Sequence, residues 1–294
     1  MERALQRAEQ VGNVRAQALC HHGLGAVRFF TGEWAPAEVS LHRGIELASS
    51  VDSTFGVLLG EHRLAILETA SGKFNDAAER LGAALHVALA SGNPMVLEHS
   101  PTRLLTALAA SRLAAGDLDG ATEALERGFE AQAAVVAQGF GECVTCDVLL
   151  YPVAVAVRLA RGELAEAEVA CRRVEESTTW FHSRVWIATA HETRALLARA
   201  EGNIELAVDQ FEQARAGFAA LGQPFDEARC LANVEAVRSS NSTPTKRSSQ
   251  APGPRSPGPW RRGRPDVGVL PVPILDVETS GLPGPPPESI STRR

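Results

Sequence analysis

The sequence predicts an all-α protein: a superhelical solenoid of antiparallel helix pairs followed by a disordered tail. Three observations lead there. The composition is 45% hydrophobic but only 5% aromatic, so the core must be built mainly from Ala, Leu and Val. Ala and Leu are strong helix formers, and β-branched runs with period-two alternation are scarce. One short pattern recurs five times along the first 238 residues. Beyond residue 238 the composition changes abruptly, with 12 of the chain's 17 prolines in the last segment.

The pattern is Gly-polar-hydrophobic, then Ala three residues on. It reads Gly32-Glu33-Trp34 with Ala37, Gly72-Lys73-Phe74 with Ala77, and Gly116-Asp117-Leu118 with Ala121. Gly162-Glu163-Leu164 with Ala167 and Gly202-Asn203-Ile204 with Ala207 complete it. The glycine ends the first helix of a pair in a left-handed conformation that other residues adopt at greater cost. The small Ala lets the second helix approach the first closely. Four residues further on stand Leu41, Leu81, Leu125, Cys171 and Phe211, and three beyond those Gly44, Ala84, Gly128, Val174 and Ala214. Spacings of four and three put these on one helical face. Upstream of each repeat glycine comes another small or apolar residue: Gly25, Ala65, Ala109, Val155 and Ala195.

This order of small and apolar positions resembles the tetratricopeptide (TPR) repeat, with a longer period than the usual 34 residues. The resemblance implies a right-handed superhelix of TPR-like pairs over residues 1–238. Long-period arrays of this kind resemble the helical region of large LuxR-type transcriptional regulators. The phrases FAALGQPFDEARCLANV (218–234) and GECVTCDVLLYPVAV (141–155) carry that likeness. The stretch MERALQRAEQVGN reads as the second helix of a pair, and residues 223–238 as the first helix of another. The array is therefore read as a fragment or a module meant to continue, or as one whose end helices serve as caps.

Residues 239–294 are rich in Pro, Ser and Arg and hold too little apolar surface to offset the entropy of ordering. They are expected to be disordered, with polyproline-II character. Where the regulator family would carry a helix-turn-helix domain, no helical periodicity follows. The segment reads either as an ordinary tail or as an out-of-frame reading of that domain.

Charge divides in the same place. Residues 1–238 carry 21 Lys and Arg against 31 Asp and Glu, and the tail carries 8 against 4. An acidic body is a poor surface for phosphate backbones, so direct nucleic-acid binding is not expected. Five cysteines and a charged amphipathic start, with no apolar signal segment, point to a reduced, cytoplasmic protein that does not enter a membrane.

The chemistry expected is slight. Gly72-Lys73 lacks the rest of a phosphate-binding loop, and His191-Glu192 has Ala195 where a zinc-protease helix needs a second His. Cys143-x-x-Cys146 is the one suggestive pair; packing, redox and metal roles all remain open for it. No cofactor and no catalytic residue are expected. Trp180, Phe181 and Trp186 are expected to pack between the fourth and fifth pairs. By the family resemblance, the first helix of each pair lines a concave face. That places His22, His62, Arg63, Arg103, Thr106 and Glu192 near a groove that would hold a protein or peptide partner, or a small effector. The function expected is a protein-interaction or effector-sensing module. A free-standing scaffold and a thiol-based redox protein are the alternatives.

Overall fold

The computed structural model describes residues 1–139 and 143–242. Among these residues there are twelve α-helices and no strand. They are α1 (Glu2–Gln10), α2 (Val14–Phe30), α3 (Trp34–Ser49), α4 (Thr54–Ala70), α5 (Phe74–Ala90) and α6 (Pro94–Ala114). The second half holds α7 (Leu118–Ala137), α8 (Val144–Arg161), α9 (Leu164–Phe181), α10 (Arg184–Ala200), α11 (Ile204–Ala220) and α12 (Pro224–Ser242). The tail beyond Ser242 lies outside the described residues. The boundary expected at residue 238 falls within α12.

Each repeat behaves as its residues require. The five repeat glycines have φ between 76° and 82°. At the first, Glu33 N–H donates to Arg28 O at 2.7 Å and Gly32 N–H to Phe29 O at 3.1 Å. The same crossed pair of bonds follows at Gly72, Gly116, Gly162 and Gly202. It satisfies carbonyls that a helix end would otherwise leave bare. The turns between pairs also use positive φ, supplied by Asp52 (51°) and His182 (47°) as well as by glycines.

The pairs α2/α3, α4/α5, α6/α7, α8/α9 and α10/α11 form antiparallel hairpins stacked in one row. The chain is thus an α-solenoid of TPR-like helix pairs. Helices α2, α4, α6, α8 and α10 each touch the next of their set, whereas α3, α5, α7, α9 and α11 make no comparable contact with one another. The first set is therefore the inner layer and the second the outer. Ala37, Ala77, Ala121, Ala167 and Ala207 are all 0% exposed. They sit where inner and outer helices meet.

The inner layer is more sealed than an open groove would be. Nearly every residue from Leu58 to Thr69, from Ser100 to Leu113 and from Cys146 to Val157 is buried. Helices α4 and α6 have no polar stripe, as expected of helices covered on every side. The row also winds back on itself. Phe225 at the start of α12 packs on Trp34 (ring centroids 5.3 Å) and Phe29 (6.3 Å) at the far end of α2. The start of the last helix thereby lands on the turn that joins α2 to α3. Among the described residues no helix is long and apolar enough to cross a membrane.

The same substitution should behave differently on two faces of α5. Ala77→Leu forces a larger side chain into the closest part of a hairpin and should cost about 1–3 kcal/mol. Ala83→Leu, on the exposed face, should stay within about 0.5 kcal/mol of the parent. Urea denaturation of the two variants checks this.

Candidate functional site

The six residues expected at a groove all lie on inner helices, at different depths. His22 is 0% exposed and Glu192 1%. His62, Arg63 and Thr106 are buried as well, and Arg103 is half-buried. His62 and Arg103 border one recess, and Arg63 lies close enough to His22 for its charge to be felt there. The recess, of about 10 Å³, lies between α4 and α6 and is also lined by Phe55, Leu58, Leu59, Ser100 and Leu104. Thr106 turns its hydroxyl back onto Thr102 O at 2.7 Å.

His22 fills the space beside two glycines. A Cβ on Gly44 or on Gly60 would collide with its ring. Among the described residues neither ring nitrogen has a well-formed hydrogen bond, and the Gly56 backbone is the polar group beside the ring. Burial, reinforced by the nearby Arg63 charge, pushes its pKa down to about 3.

Glu192 belongs to a buried ionic clasp. Arg229 of α12 donates twice to its carboxylate, at 2.7 Å each, and once to Asp226 at 2.6 Å. The guanidinium also lies over Phe218 and Phe225, at 5.9 and 5.8 Å from the ring centroids. Arg199 adds a second link to α12 through Asn233 at 2.8 Å.

The densest cluster of reactive side chains lies between the starts of α6 and α8. Asn93 caps α6 by accepting from Met95 N–H at 3.0 Å, and Pro94 opens the helix. His99 and Arg103 follow four residues apart, on one face. Cys143 is the N-cap residue of α8, and Cys146 N–H donates to its carbonyl at 2.8 Å. The Cys143 Sγ lies 3.4 Å from His99 Nδ1 and 3.2 Å from Thr145 Oγ1. The Cys146 Sγ lies 3.9 Å from the same Nδ1. Arg103 donates to Thr145 Oγ1 at 3.3 Å, and Glu98 Oε1 stands 3.5 Å from His99 Nε2. Cys146 is buried and Cys143 half-buried.

The two thiols share their proton unequally. Hydrogen bonds from Cys146, His99 and Thr145 hold Cys143 well below the usual thiol range. The Cys143 thiolate and burial keep Cys146 protonated far above it. A thiolate at a helix N-terminus beside a His and an Arg is the setting in which cysteine becomes nucleophilic or binds metal.

The sequence singled out Cys143 and Cys146 but not His99. The signal was available: His99 and the cysteine pair stand at similar depth before Gly116 and Gly162 in neighbouring inner helices. Cys171 and His182 do not join the cluster; Cys171 is 0% exposed within the core and His182 lies exposed at the end of α9. Cys20, His21 and His22 point apart along α2, as adjacent helical residues must. Trp186 is half-buried on α10. The side chains of Trp180 and Phe181 lie outside the described residues.

No protein-family model and no curated protein sequence matches the chain. Solved structures similar to it include a putative kinesin light chain from Podosopora anserina with nearly identical TPR-like repeats. It is 20% identical, with 70% of this chain and 97% of that one covered and a TM-score of 0.45. BtubC (BKLC) from P. vanneervenii is 16% identical, with 79% and 96% covered and a TM-score of 0.44.

Glu192→Ala removes two of the three charge-assisted hydrogen bonds of buried Arg229 and leaves it only Asp226; it should destabilise the chain by about 2–4 kcal/mol, read by chemical denaturation. His22 has a folded pKa below its unfolded value of about 6.5, so its contribution is present above that pH and is lost as the pH falls from there towards 3. Between pH 7 and 5 this single group should remove about 2 kcal/mol. Replacing it by His22→Leu should flatten the stability–pH curve over that interval.

Proposed function

We propose that the chain is a protein-interaction scaffold of TPR-like helix pairs. The observation that carries this is the single-row stacking, which leaves long edges and an outer face open to a partner. One edge combines the ends of α5 and α7 with the starts of α6 and α8. Val87, Leu89, Met95 and Val136 there are 46%, 57%, 58% and 44% exposed. Apolar side chains gathered at an edge favour a protein or peptide partner. The sealed inner layer favours that edge over a deep groove, and the reading is of a binding protein rather than an enzyme.

The finer reading is a repeat region similar to that of LuxR-type transcriptional regulators, acting without their ATPase and helix-turn-helix parts and sensing an effector in the cytoplasm. What supports it is the sequence likeness of residues 141–155 and 218–234, and the acidic body, which disfavours direct nucleic-acid contact. Among His22, His62, Arg63, Arg103, Thr106 and Glu192, the pair His62 and Arg103 is best placed for an effector, because both border one recess. A widening of that recess would be needed to admit more than a water molecule. The alternative is a free-standing scaffold unrelated to transcription.

Affinity isolation after cross-linking in the source cells tests the scaffold. Specific partners should be recovered with the parent chain, lost with the double variant Val87→Glu, Val136→Glu, and kept with Val169→Glu, which alters an exposed site on α9. Recovery of the same proteins with all three chains would contradict the edge as the binding surface. An ATPase or DNA-binding protein among the partners would favour the regulator reading, and none would favour the free-standing scaffold.

A further inference from the structure

We propose that His99, Cys143 and Cys146 form a three-ligand Zn²⁺ site that ties α6 to α8. A tetrahedral zinc ion holds sulfur at about 2.3 Å and imidazole nitrogen at about 2.0–2.1 Å, which sets N···S edges near 3.6 Å. His99 Nδ1 stands 3.4 Å from one sulfur and 3.9 Å from the other. The three donor atoms all lie within 4.8 Å of one another. Two thiols and an imidazole suit zinc, whereas magnesium and calcium require oxygen donors.

The surroundings fit as well. Glu98 faces the other ring nitrogen of His99 at 3.5 Å. A carboxylate behind a ligating imidazole sets its orientation and raises its basicity. Arg103 reaches the same first turn of α8 through Thr145. It disfavours a cation, but binding would release the Cys146 proton to solvent, and the two thiolates would then balance the charge of the ion. The ligands are carried by two helices that pack together, one residue at the α8 N-cap and one a turn further along. They are held near their binding geometry before any ion arrives. Cys143 is only half-buried, which gives the ion an entry path. Water or one further donor would complete the tetrahedron.

The site lies where two inner helices of neighbouring pairs adjoin. A bound ion would brace that junction beside the apolar edge formed by α5, α6, α7 and α8. The inference concerns these three ligands and stands or falls apart from the scaffold reading.

Cobalt(II) titration of the full, thiol-reduced chain tests it directly. One equivalent should produce the thiolate charge-transfer band and the visible bands of a tetrahedral centre, and Zn²⁺ should abolish both. Cys143→Ser and His99→Ala should each lose the bands while circular dichroism shows the helices intact. Cys230→Ser, at a cysteine buried elsewhere, should keep them. Glu98→Gln should weaken binding about 10- to 100-fold. Folded, reduced chain that gives no such bands, or bands that survive both ligand variants, would overturn the proposal. So would oxidation of Cys143 and Cys146 to a disulfide at a rate that Zn²⁺ does not slow.

Discussion

Each of the five hairpins fully buries one side chain no larger than a methyl group at its repeat position. Ala37, Ala77, Ala121, Ala167 and Ala207 are fully covered by the helix they approach. Their size sets the separation of inner and outer helices. The larger residues one turn on, Leu41, Leu81, Leu125, Cys171 and Phe211, then fill the space to either side and are at most 1% exposed. Gly25 shows the same constraint from the inner helix, since a Cβ there would strike Leu41. Close packing at these positions excludes water and gains dispersion contacts that a wider hairpin would forgo.

That spacing has consequences beyond each pair. Tightly apposed hairpins place their inner helices against one another, and α4, α6 and α8 become enclosed. The row then curves until Phe225 reaches Phe29 and Trp34. The Glu192–Arg229–Asp226 clasp holds α12 in position for that contact. A buried charge network of this kind adds little net stability against an apolar substitute, but it is costly to break. It therefore specifies where α12 docks more than it strengthens the docking. Polar residues that an open superhelix would display are here packed between helices, and exposed apolar residues at the edge of α5 to α8 become the surface most suited to a partner.

Much of the fold was legible in the sequence because it repeats. Five agreeing registers located the helix ends, the left-handed glycines and the core alanines, each of which obeys a local rule. What was not legible depends on how far the superhelix turns. Phe225 and Phe29 lie at opposite ends of the array, and no local pattern announces their contact. The depth of His22 likewise depends on Gly44 and Gly60, which belong to the next two helices. The cysteine pair was visible as a spacing, but its third member was not, because His99 belongs to the preceding pair and meets Cys143 only through the parallel alignment of α6 and α8. The sequence from residue 243 onwards lacks the repeat pattern, and its composition alone set the expectation for it.

The row of pairs winds far enough for its last helix to rest on its first pair. Replacing Phe225 with a photoreactive benzoylphenylalanine and mapping the cross-links by mass spectrometry tests it most directly. Cross-links to the peptide containing Phe29 and Trp34, within a single chain, are expected. Cross-links confined to α10 and α11 would contradict it and would mean that the array stays open, with its inner helices facing a groove.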